Sequence, residues 1–398
     1  MIKIRTPYLT TVGLQTRLGA EIERDGEKRT LWFGVEGQYA KYLLHERSDA
    51  FVIGLLQYAI RNGHDIECEA PMTKRIYEQL TEQFLPCYNR MHGDFKQQPG
   101  HAVKILAPLA DEIPALSEAI GTGISCGVDS LHVFAVHADV THACIWNLHG
   151  VTNDETAEKR KLGWENLVTQ AKAFCNETGH QLIIGDTNFD RGCFEDLQFD
   201  GSTTYGNLFA IHCLQKLWRK YYVASGYAIK DFSLQLDIFS DPAHYEYMLF
   251  PFVSSNHFSI CLDAPEKPRI EKMKDLMNYA PARSFLNVCC EIHPNGKNCT
   301  YLCPKCMRTV LNLLAWGGLD LFRDVFDVQY VNAHLEEFIA ELYRGYLQHN
   351  PFAMEMREYF AKMNIPFIVK IKAAKIVCKK AILKFLRGGR VSHRFMPR

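Results

Sequence analysis

A run of small residues, Ser125-Cys126-Gly127-Val128-Asp129-Ser130, constrains the fold of this chain more than any other stretch. It follows a strand-like segment and precedes Leu131, Phe134 and Ala135, whose spacing predicts the buried face of a helix. Small residues at such a turn let the backbone approach a ligand closely. The N–H groups of the turn, with the N-terminus of the helix, form a cradle for an anion. We therefore expect an anion-binding loop here, with an ordinary Ser/Gly turn as the alternative.

Beyond residue 119, strand-like and helix-like segments alternate along the chain. The predicted segments are strands at 121–125, 143–148, 182–185 and 227–229, and helices at 155–178 and 205–224. This alternation predicts an α/β fold with a doubly wound parallel sheet, in which ligands bind at the carboxyl ends of strands. His149, Asp186 and Asn188 follow such strands and are predicted to join the loop in a nucleotide site. Each of them has an alternative interpretation as a capping or turn residue.

Three charged residues are predicted to interact with the phosphate groups of a bound ligand, either directly or through a metal ion. Phosphate repels a carboxylate such as Asp129 unless a cation intervenes, so Mg²⁺ bridging to a triphosphate is expected there. Capping of the following helix is an alternative role that is compatible with it. Arg269 and Lys272 lie three residues apart, so one helical face can present both charges to a leaving pyrophosphate. A solvated helix face is the alternative for this pair.

Several cysteines are concentrated between residues 289 and 306. Cys303 and Cys306 form a C-x-x-C pair, Cys299 precedes them by four residues, and Cys289 and Cys290 lie upstream. Four thiolates on one tetrahedral ion are the ligand set of structural Zn²⁺. A redox-active C-x-x-C pair and an iron–sulfur cluster are the alternatives. The pattern favours a zinc knuckle, with Cys290 as the alternative to Cys289.

These two motifs carry a resemblance to a known superfamily. The loop resembles the pyrophosphate loop, SGGxDS, of the N-type (PP-loop) ATP pyrophosphatases, with Cys126 in the place of a Gly. A pyrophosphate loop combined with a C-terminal four-cysteine zinc site resembles 7-cyano-7-deazaguanine synthase and its relatives. The phrase from Val288 to Thr309 is similar to VCW…NCGxCxKCxRT of uncharacterised bacterial relatives, which also carry an Arg-x-Glu-Lys segment like residues 269–272. The resemblance covers about residues 119–320.

The resemblance implies an enzyme that binds ATP with Mg²⁺ and releases pyrophosphate. The loop residues Ser125 to Ser130 would hold the phosphates, and Asp129, Arg269 and Lys272 would assist the chemistry. A carboxylate or amide oxygen of an unidentified small molecule would be adenylated, and an amine or ammonia would then displace AMP. The family alignment makes Cys289 the first zinc ligand. A thiolation enzyme, favoured by the cysteine at 126, and an inactive nucleotide-binding scaffold are the alternatives.

The charge distribution predicts the remaining organisation of the chain. Residues 370–398 contain ten Lys/Arg and no Asp/Glu, whereas the other residues carry 35 basic and 45 acidic side chains. The acidic body argues against a nucleic-acid partner. The basic tail places Ile371, Ala374, Cys378 and Phe385 at helical spacing, which predicts contact with an anionic membrane surface, an acidic protein, or solvent.

We expect four segments. They are an α+β domain at 1–100 that packs on the next domain or forms a homodimer, a PP-loop domain with the four-cysteine zinc site at 101–325, a helical extension at 326–369, and the tail at 370–398. The clustered cysteines and a strand-like N-terminus predict a cytoplasmic protein, peripheral at the inner face of the membrane if the tail binds lipid.

Overall fold

A computed structural model describes residues 1–91, 102–148, 157–189, 202–234, 241–289, 298–299 and 303–386. The chain forms two compact units. The first comprises residues 1–124 and 137–266, and the second comprises 125–136 and 267–398. The loop from Ser125 to Ser130 and the cysteine region therefore belong to the same unit.

Thirteen strands are described, and all lie in the first unit. They are β1 (Ile2–Ile4), β2 (Tyr8–Val12), β3 (Gln15–Arg24), β4 (Glu27–Glu36), β5 (Ile66–Cys68), β6 (Met72–Thr73), β7 (Ile105–Leu106), β8 (Leu109–Ala110), β9 (Ala119–Gly123), β10 (His142–Asn147), β11 (Gln181–Thr187), β12 (Trp218–Ala224) and β13 (Ser259–Asp263). Eleven of them form one large, mostly parallel sheet, and β6 pairs with β8 separately.

Five parallel strands form one half of the large sheet, in the order β13-β12-β9-β10-β11. The chain begins this half at β9, proceeds outward through β10 and β11, and then continues on the other side of β9 through β12 and β13. This reversal is the arrangement of a doubly wound fold, in which ligands bind where the strand order reverses. The α/β class and the parallel sheet that the sequence predicts are confirmed.

The N-terminal strands extend the same sheet. Strand β4 pairs antiparallel with β11, and β3, β1, β5 and β7 follow in order. At this junction a Cβ on Gly185 would come within 2.6 Å of the rings of Phe33 and Trp146, so the close packing requires glycine. The sequence-based division at residue 100 differs from this grouping, because β11 joins β4 across about 150 residues.

Fifteen helices are described in the same ranges. They are α1 (Asp49–Asn62), α2 (Lys74–Glu78), α3 (Leu85–Met91), α4 (Val128–Val136), α5 (Ala157–Thr178), α6 (Ser202–Cys213), α7 (Glu246–Phe252), α8 (Arg269–Leu276), α9 (Ala280–Phe285), α10 (Pro304–Ala315), α11 (Val328–Ala333), α12 (Leu335–Leu347), α13 (Pro351–Glu355), α14 (Arg357–Lys362) and α15 (Phe367–Leu386). Helix α1 packs on α6 in the first unit. In the second unit α8 packs on α4 and α10, and α12 packs on α10, α13 and α15.

One predicted helix and one predicted strand are wrong. A single helix is expected at 205–224, but the structure has α6 there, followed by the strand β12. The strand expected at 227–229 is therefore found earlier in the chain, as β12. Trp218, Tyr221 and Tyr222 are aromatic residues of the kind that pack well on a pleated sheet. Residues 229–231 form a single turn of 3₁₀ helix instead.

Candidate functional site

The loop after β9 is held by its own serines. The Oγ atoms of Ser125 and Ser130 lie 3.1 Å apart, and Ser130 Oγ also accepts the N–H of Ser125 at 3.3 Å. Ser125 Oγ accepts the N–H of Gly127, while Ser130 Oγ donates to the Gly127 carbonyl at 3.2 Å. Helix α4 begins at Val128, which is buried. The loop is thus a closed turn that leads directly into the helix.

Cys126 has a left-handed backbone, with φ of 56°. Residues with a Cβ are disfavoured in this region, and glycine is the residue that adopts it freely. The side chain is 1% exposed, and the Cys126 carbonyl accepts the N–H of Asn287 at 2.7 Å. The loop therefore adopts the backbone that a glycine would favour at this position although it carries a cysteine.

Asp129, in the first turn of α4, is paired with both basic residues of the predicted site. Arg269 binds it in a bidentate manner, with Nε 3.2 Å from Oδ1 and a terminal nitrogen 2.5 Å from Oδ2. Lys272 Nζ lies 3.8 Å from Oδ1, and its residue is 1% exposed. Both cations project from α8, which packs on α4. The structure thus brings Asp129 together with two residues that lie about 140 positions further along the sequence.

A third cation, Arg308 of α10, extends this group. Its guanidinium carbon lies 3.8 Å from the ring centroid of Phe352, and that of Arg269 lies 5.7 Å from the same centroid. Cation–π contacts of this kind are attractive. Phe352 therefore links Arg308 to the Arg269–Asp129 pair.

The electrostatics follow from these contacts. Burial by itself raises the pKa of Asp129, but Arg269, Lys272 and Arg308 outweigh it and hold the pKa below its ordinary value. The carboxylate is therefore ionised at neutral pH. Arg269, Lys272 and Arg308 form a cationic cluster around this carboxylate, and such side chains bind anions such as phosphate through charge-assisted hydrogen bonds.

A second ion cluster joins α4 to α8. His132 Nε2 lies 3.0 Å from Asp275 Oδ2, and Lys267 Nζ lies 2.6 Å from the same oxygen. Burial opposes ionisation of Asp275, but Lys267 and His132 lower its pKa overall. His132 is buried in α4, the helix that also carries Asp129, and its hydrogen bond to Asp275 holds α4 against α8.

Four of the predicted metal ligands are brought together. The sulfur atoms of Cys289, Cys299, Cys303 and Cys306 all lie within 4.8 Å of one another. Four sulfurs at 2.3 Å from a tetrahedral ion are about 3.8 Å apart, so the group is compact enough to hold a metal. Burial raises the pKa of Cys299 to about 11, and the neighbouring Cys303 raises that of Cys306. Such crowded thiols are stable together as thiolates only around a cation.

Asn298 organises the backbone around this cysteine cluster. Its Oδ1 accepts the N–H groups of Val288 and Cys289 at 2.8 and 3.1 Å. Its Nδ2 donates to the carbonyls of Leu286 and Val325. The buried amide thus fixes the segment that carries Cys289 relative to Cys299.

Cys303 has a second role as the N-cap of α10. Its sulfur accepts the N–H of Cys306 at 3.3 Å, and Pro304 occupies the first helical position. Proline is favoured there because its missing N–H needs no partner. Helix α10 therefore begins at the cysteine cluster, and it carries Arg308 one turn further on.

The other predicted nucleotide ligands lie in the first unit or outside the described residues. Asp186 is the next-to-last residue of β11, and it accepts hydrogen bonds from Asn147 Nδ2 and the N–H of Thr187. Asn188 is engaged by β4, since its Oδ1 accepts from Trp32 N–H and its Nδ2 donates to the Thr30 carbonyl. His149 and Cys290 lie outside the described residues. Asn188 thus joins β11 to β4 by its side chain.

Sequence reasoning missed Arg308, Phe352 and Asn298 as members of these sites. Arg308 and Asn298 lie within the cysteine phrase, and their position beside the ligands was the available signal. Phe352 lies beyond the stretch covered by the resemblance, in a segment predicted only as helical. Nothing in its local sequence distinguishes it from a core aromatic residue.

No protein-family model, no curated protein and no solved structure matches the chain.

Proposed function

We propose that this chain is an ATP-dependent ligase that forms AMP and pyrophosphate, a member of the PP-loop type that its loop resembles. The observation that carries the proposal is the cationic cluster gathered at Asp129, in the first turn of the helix that follows a Ser/Gly loop. That loop leaves the strand at which the order of the parallel sheet reverses. Backbone N–H groups, serine hydroxyls and cationic side chains are the groups that bind polyphosphate.

The reaction would proceed in two displacements. An oxygen of the substrate attacks the α-phosphorus of ATP, the bond to the bridging oxygen breaks, and pyrophosphate leaves with its electron pair. Arg269 and Lys272 stabilise the charge that develops on the leaving group. The nitrogen of an amine or of ammonia then attacks the acyl carbon, the bond from that carbon to the AMP oxygen breaks, AMP leaves with the electron pair, and the nitrogen loses a proton to solvent.

Asp129 is better suited to positioning than to binding Mg²⁺. Its carboxylate already accepts Arg269 and faces Lys272, and a divalent ion there would be repelled by both cations. We therefore propose that Asp129 orients the side chains of Arg269 and Lys272 toward phosphate. We assign no magnesium ion to this residue.

Zn²⁺ is the metal that we propose for the cysteine cluster. Soft thiolate ligands and a compact set of four sulfurs suit a structural zinc ion, which stabilises a fold without an open coordination position. The ion would be held by Cys289, Cys299, Cys303 and Cys306, and it would fix the start of α10.

The test uses the full chain with α-labelled ATP, Mg²⁺ and a cell metabolite extract. We expect extract-dependent formation of AMP and pyrophosphate. Lys272→Met should lower this rate at least about 100-fold, the usual effect of removing one group that stabilises the transition state. Lys274→Met, an exposed lysine two residues away on the same helix, is the matched control and should leave the rate unchanged.

Two results would contradict the proposal. Formation of ADP and phosphate would mean that the loop does not direct attack to the α-phosphorus. Saturable ATP binding without turnover in any extract fraction would instead support a nucleotide-binding scaffold. Cys126, the residue that would favour a thiolation enzyme, is buried, so no observation favours that alternative.

We also propose that α15 contacts an anionic membrane surface. The helix buries Ala373 in the second unit, where it packs on α12, while Phe367, Ile368 and Ile382 stay exposed among lysines. An exposed apolar stripe flanked by lysines is typical of helices that lie in the membrane interface. Among the described residues, no helix is both long and apolar enough to cross a membrane.

A further inference from the structure

A cavity of about 350 Å³ lies between α10, α12 and α13 in the second unit. Its size falls in the range of small-molecule sites. Apolar side chains form much of its wall, namely Met307, Leu311, Leu342, Phe352, Ala353 and Met356. The cavity thus has room for the body of an apolar or aromatic molecule.

The polar part of the wall favours an anion. Among the described residues of the wall, Arg308 and Arg344 are accompanied by one carboxylate, that of Glu341. Glu341 forms ion pairs with Arg344 and with Lys380, the latter at 3.1 Å. Since two lysine or arginine side chains already share that carboxylate, it offers little attraction to a ligand cation. Arg308 brings a further positive charge to the same wall.

The cavity adjoins the proposed reaction site through shared residues. Phe352 lines the cavity and contacts the guanidinium groups of both Arg308 and Arg269. Arg269 in turn holds Asp129 in the first turn of α4. An acid bound at Arg308 would therefore lie close to ATP held at Arg269 and Lys272 as proposed, which brings its carboxylate oxygen toward the α-phosphorus.

We propose that this cavity holds the adenylated substrate, and that the substrate is a small carboxylic acid with an apolar body. The acid's carboxylate binds Arg308, its body contacts Met307, Leu311 and Met356, and an amide is disfavoured because it lacks the charge. The assignment as a substrate pocket rests on the proposed function, whereas the binding of acids does not.

The experiment measures saturation transfer by NMR from the full chain, without ATP, to three acids. The acids are 1-naphthoate, indole-3-acetate and octanoate, each compared with its primary amide. We expect at least one acid to bind at least about tenfold more tightly than its amide, because a charge-assisted hydrogen bond is worth more than a neutral one. Arg308→Gln should abolish this preference, and Arg308→Lys should retain part of it.

A second variant tests the location. Met307→Trp fills the cavity and should weaken the binding of acid and amide alike by at least fivefold. Arg357→Gln, at an exposed arginine that does not line the cavity, is the control and should behave as the wild type. Equal binding of acid and amide, binding of none of the acids, or undiminished binding by Met307→Trp would each overturn the inference.

The outcome is separable from that of the ligase assay. If the chain binds the acids but never forms AMP, the proposal that the cavity binds acids is supported and the proposed ligase reaction is contradicted. If Met307→Trp forms AMP from the same acid with an unchanged KM, the proposed reaction is supported and the assignment of the cavity as the substrate pocket is contradicted.

Discussion

Asp129 shows how one residue sets the character of the site. Its carboxylate accepts Arg269 and faces Lys272, so it fixes two cations that would otherwise repel each other. Lys272 is almost completely buried, and a buried lysine is stable as a cation only beside a counter-charge. The same pairing that stabilises the second unit thus keeps two positive groups next to the loop.

Removal of this carboxylate should destabilise the protein. Asp129→Ala leaves the buried Lys272 without its counter-charge, a change that costs about 3 kcal/mol for buried pairs. Urea unfolding at pH 7 measures it. The double variant Asp129→Ala/Lys272→Met should recover at least about 1 kcal/mol of this loss, since neither charge remains. Additive losses in the double variant would contradict the pairing.

The pH dependence has a definite sign. Because the folded pKa of Asp129 is lowered, its ionised form stabilises the folded state above the unfolded pKa of about 3.9, and the contribution is lost as pH falls through the folded pKa. We expect the difference in unfolding free energy between wild type and Asp129→Asn to be constant near neutrality and to shrink below about pH 4. Acid titration of both proteins by circular dichroism gives this difference.

The left-handed backbone of Cys126 should lower the stability of the folded protein. A left-handed residue with a Cβ is strained by about 1–2 kcal/mol, so Cys126→Gly should be more stable than Cys126→Ala. At Cys144, a buried cysteine in β10, the order should reverse, because alanine restricts the unfolded chain more than glycine does. Thermal unfolding of the four variants measures both orders. Greater stability of alanine at both positions would refute the strain.

At the scale of elements, the start of α10 connects the cysteine cluster to the proposed reaction site. Cys303 caps the helix, and Arg308 lies on its second turn. The sequence predicts that the four cysteines cluster because their spacing is local. It does not predict β12 or the role of Phe352, since both depend on packing partners far away in the chain. Trp218 and Tyr221 pack against Gly121 of β9, and such long-range contacts override local helical spacing.

Loss of the metal should be separable from loss of the helix cap. Cys303→Ser removes one of the four proposed zinc ligands but keeps a side chain that caps a helix well. We expect this variant to lose bound zinc, measured by mass spectrometry of the metal, and to unfold at a lower temperature. Cys378→Ser, at an exposed cysteine of α15, is the control and should retain one equivalent of zinc. Full zinc content in Cys303→Ser would contradict the ligand assignment.

At the scale of the whole molecule, the large sheet is assembled from two parts of the sequence. The alternation after residue 119 predicts β9, β10 and β11 of the parallel half, because each of these strands has its own local signal, whereas the sequence pattern of β12 is helical. The N-terminal strands join it through antiparallel pairing of β4 with β11, and Asn188 adds hydrogen bonds from its side chain to that strand. Neither the pairing nor the register of distant edges has a local signal, so the sequence alone predicts a separate domain there.

Helix α15 presents a surface of apolar and lysine side chains. Its exposed residues alternate between apolar side chains such as Ile368 and Ile382 and lysines such as Lys375 and Lys379. Each lysine near an anionic membrane is worth about 1 kcal/mol, so Lys375→Gln/Lys379→Gln should lower the partition coefficient about 30-fold. Co-sedimentation of the full chain with phosphatidylglycerol vesicles measures it, and phosphatidylcholine vesicles should bind little.

The controls separate charge from apolar contact and from a protein partner. Leu347→Ser changes an exposed apolar residue of α12 and should leave the partition unchanged, whereas Ile368→Ser/Ile382→Ser should lower it. Raising the salt concentration should weaken binding, because screening acts mainly on exposed charges. Equal partition onto neutral vesicles would contradict the electrostatic part of the proposal. Binding to polyglutamate without binding to either vesicle would identify an acidic protein, not a lipid surface, as the partner of α15.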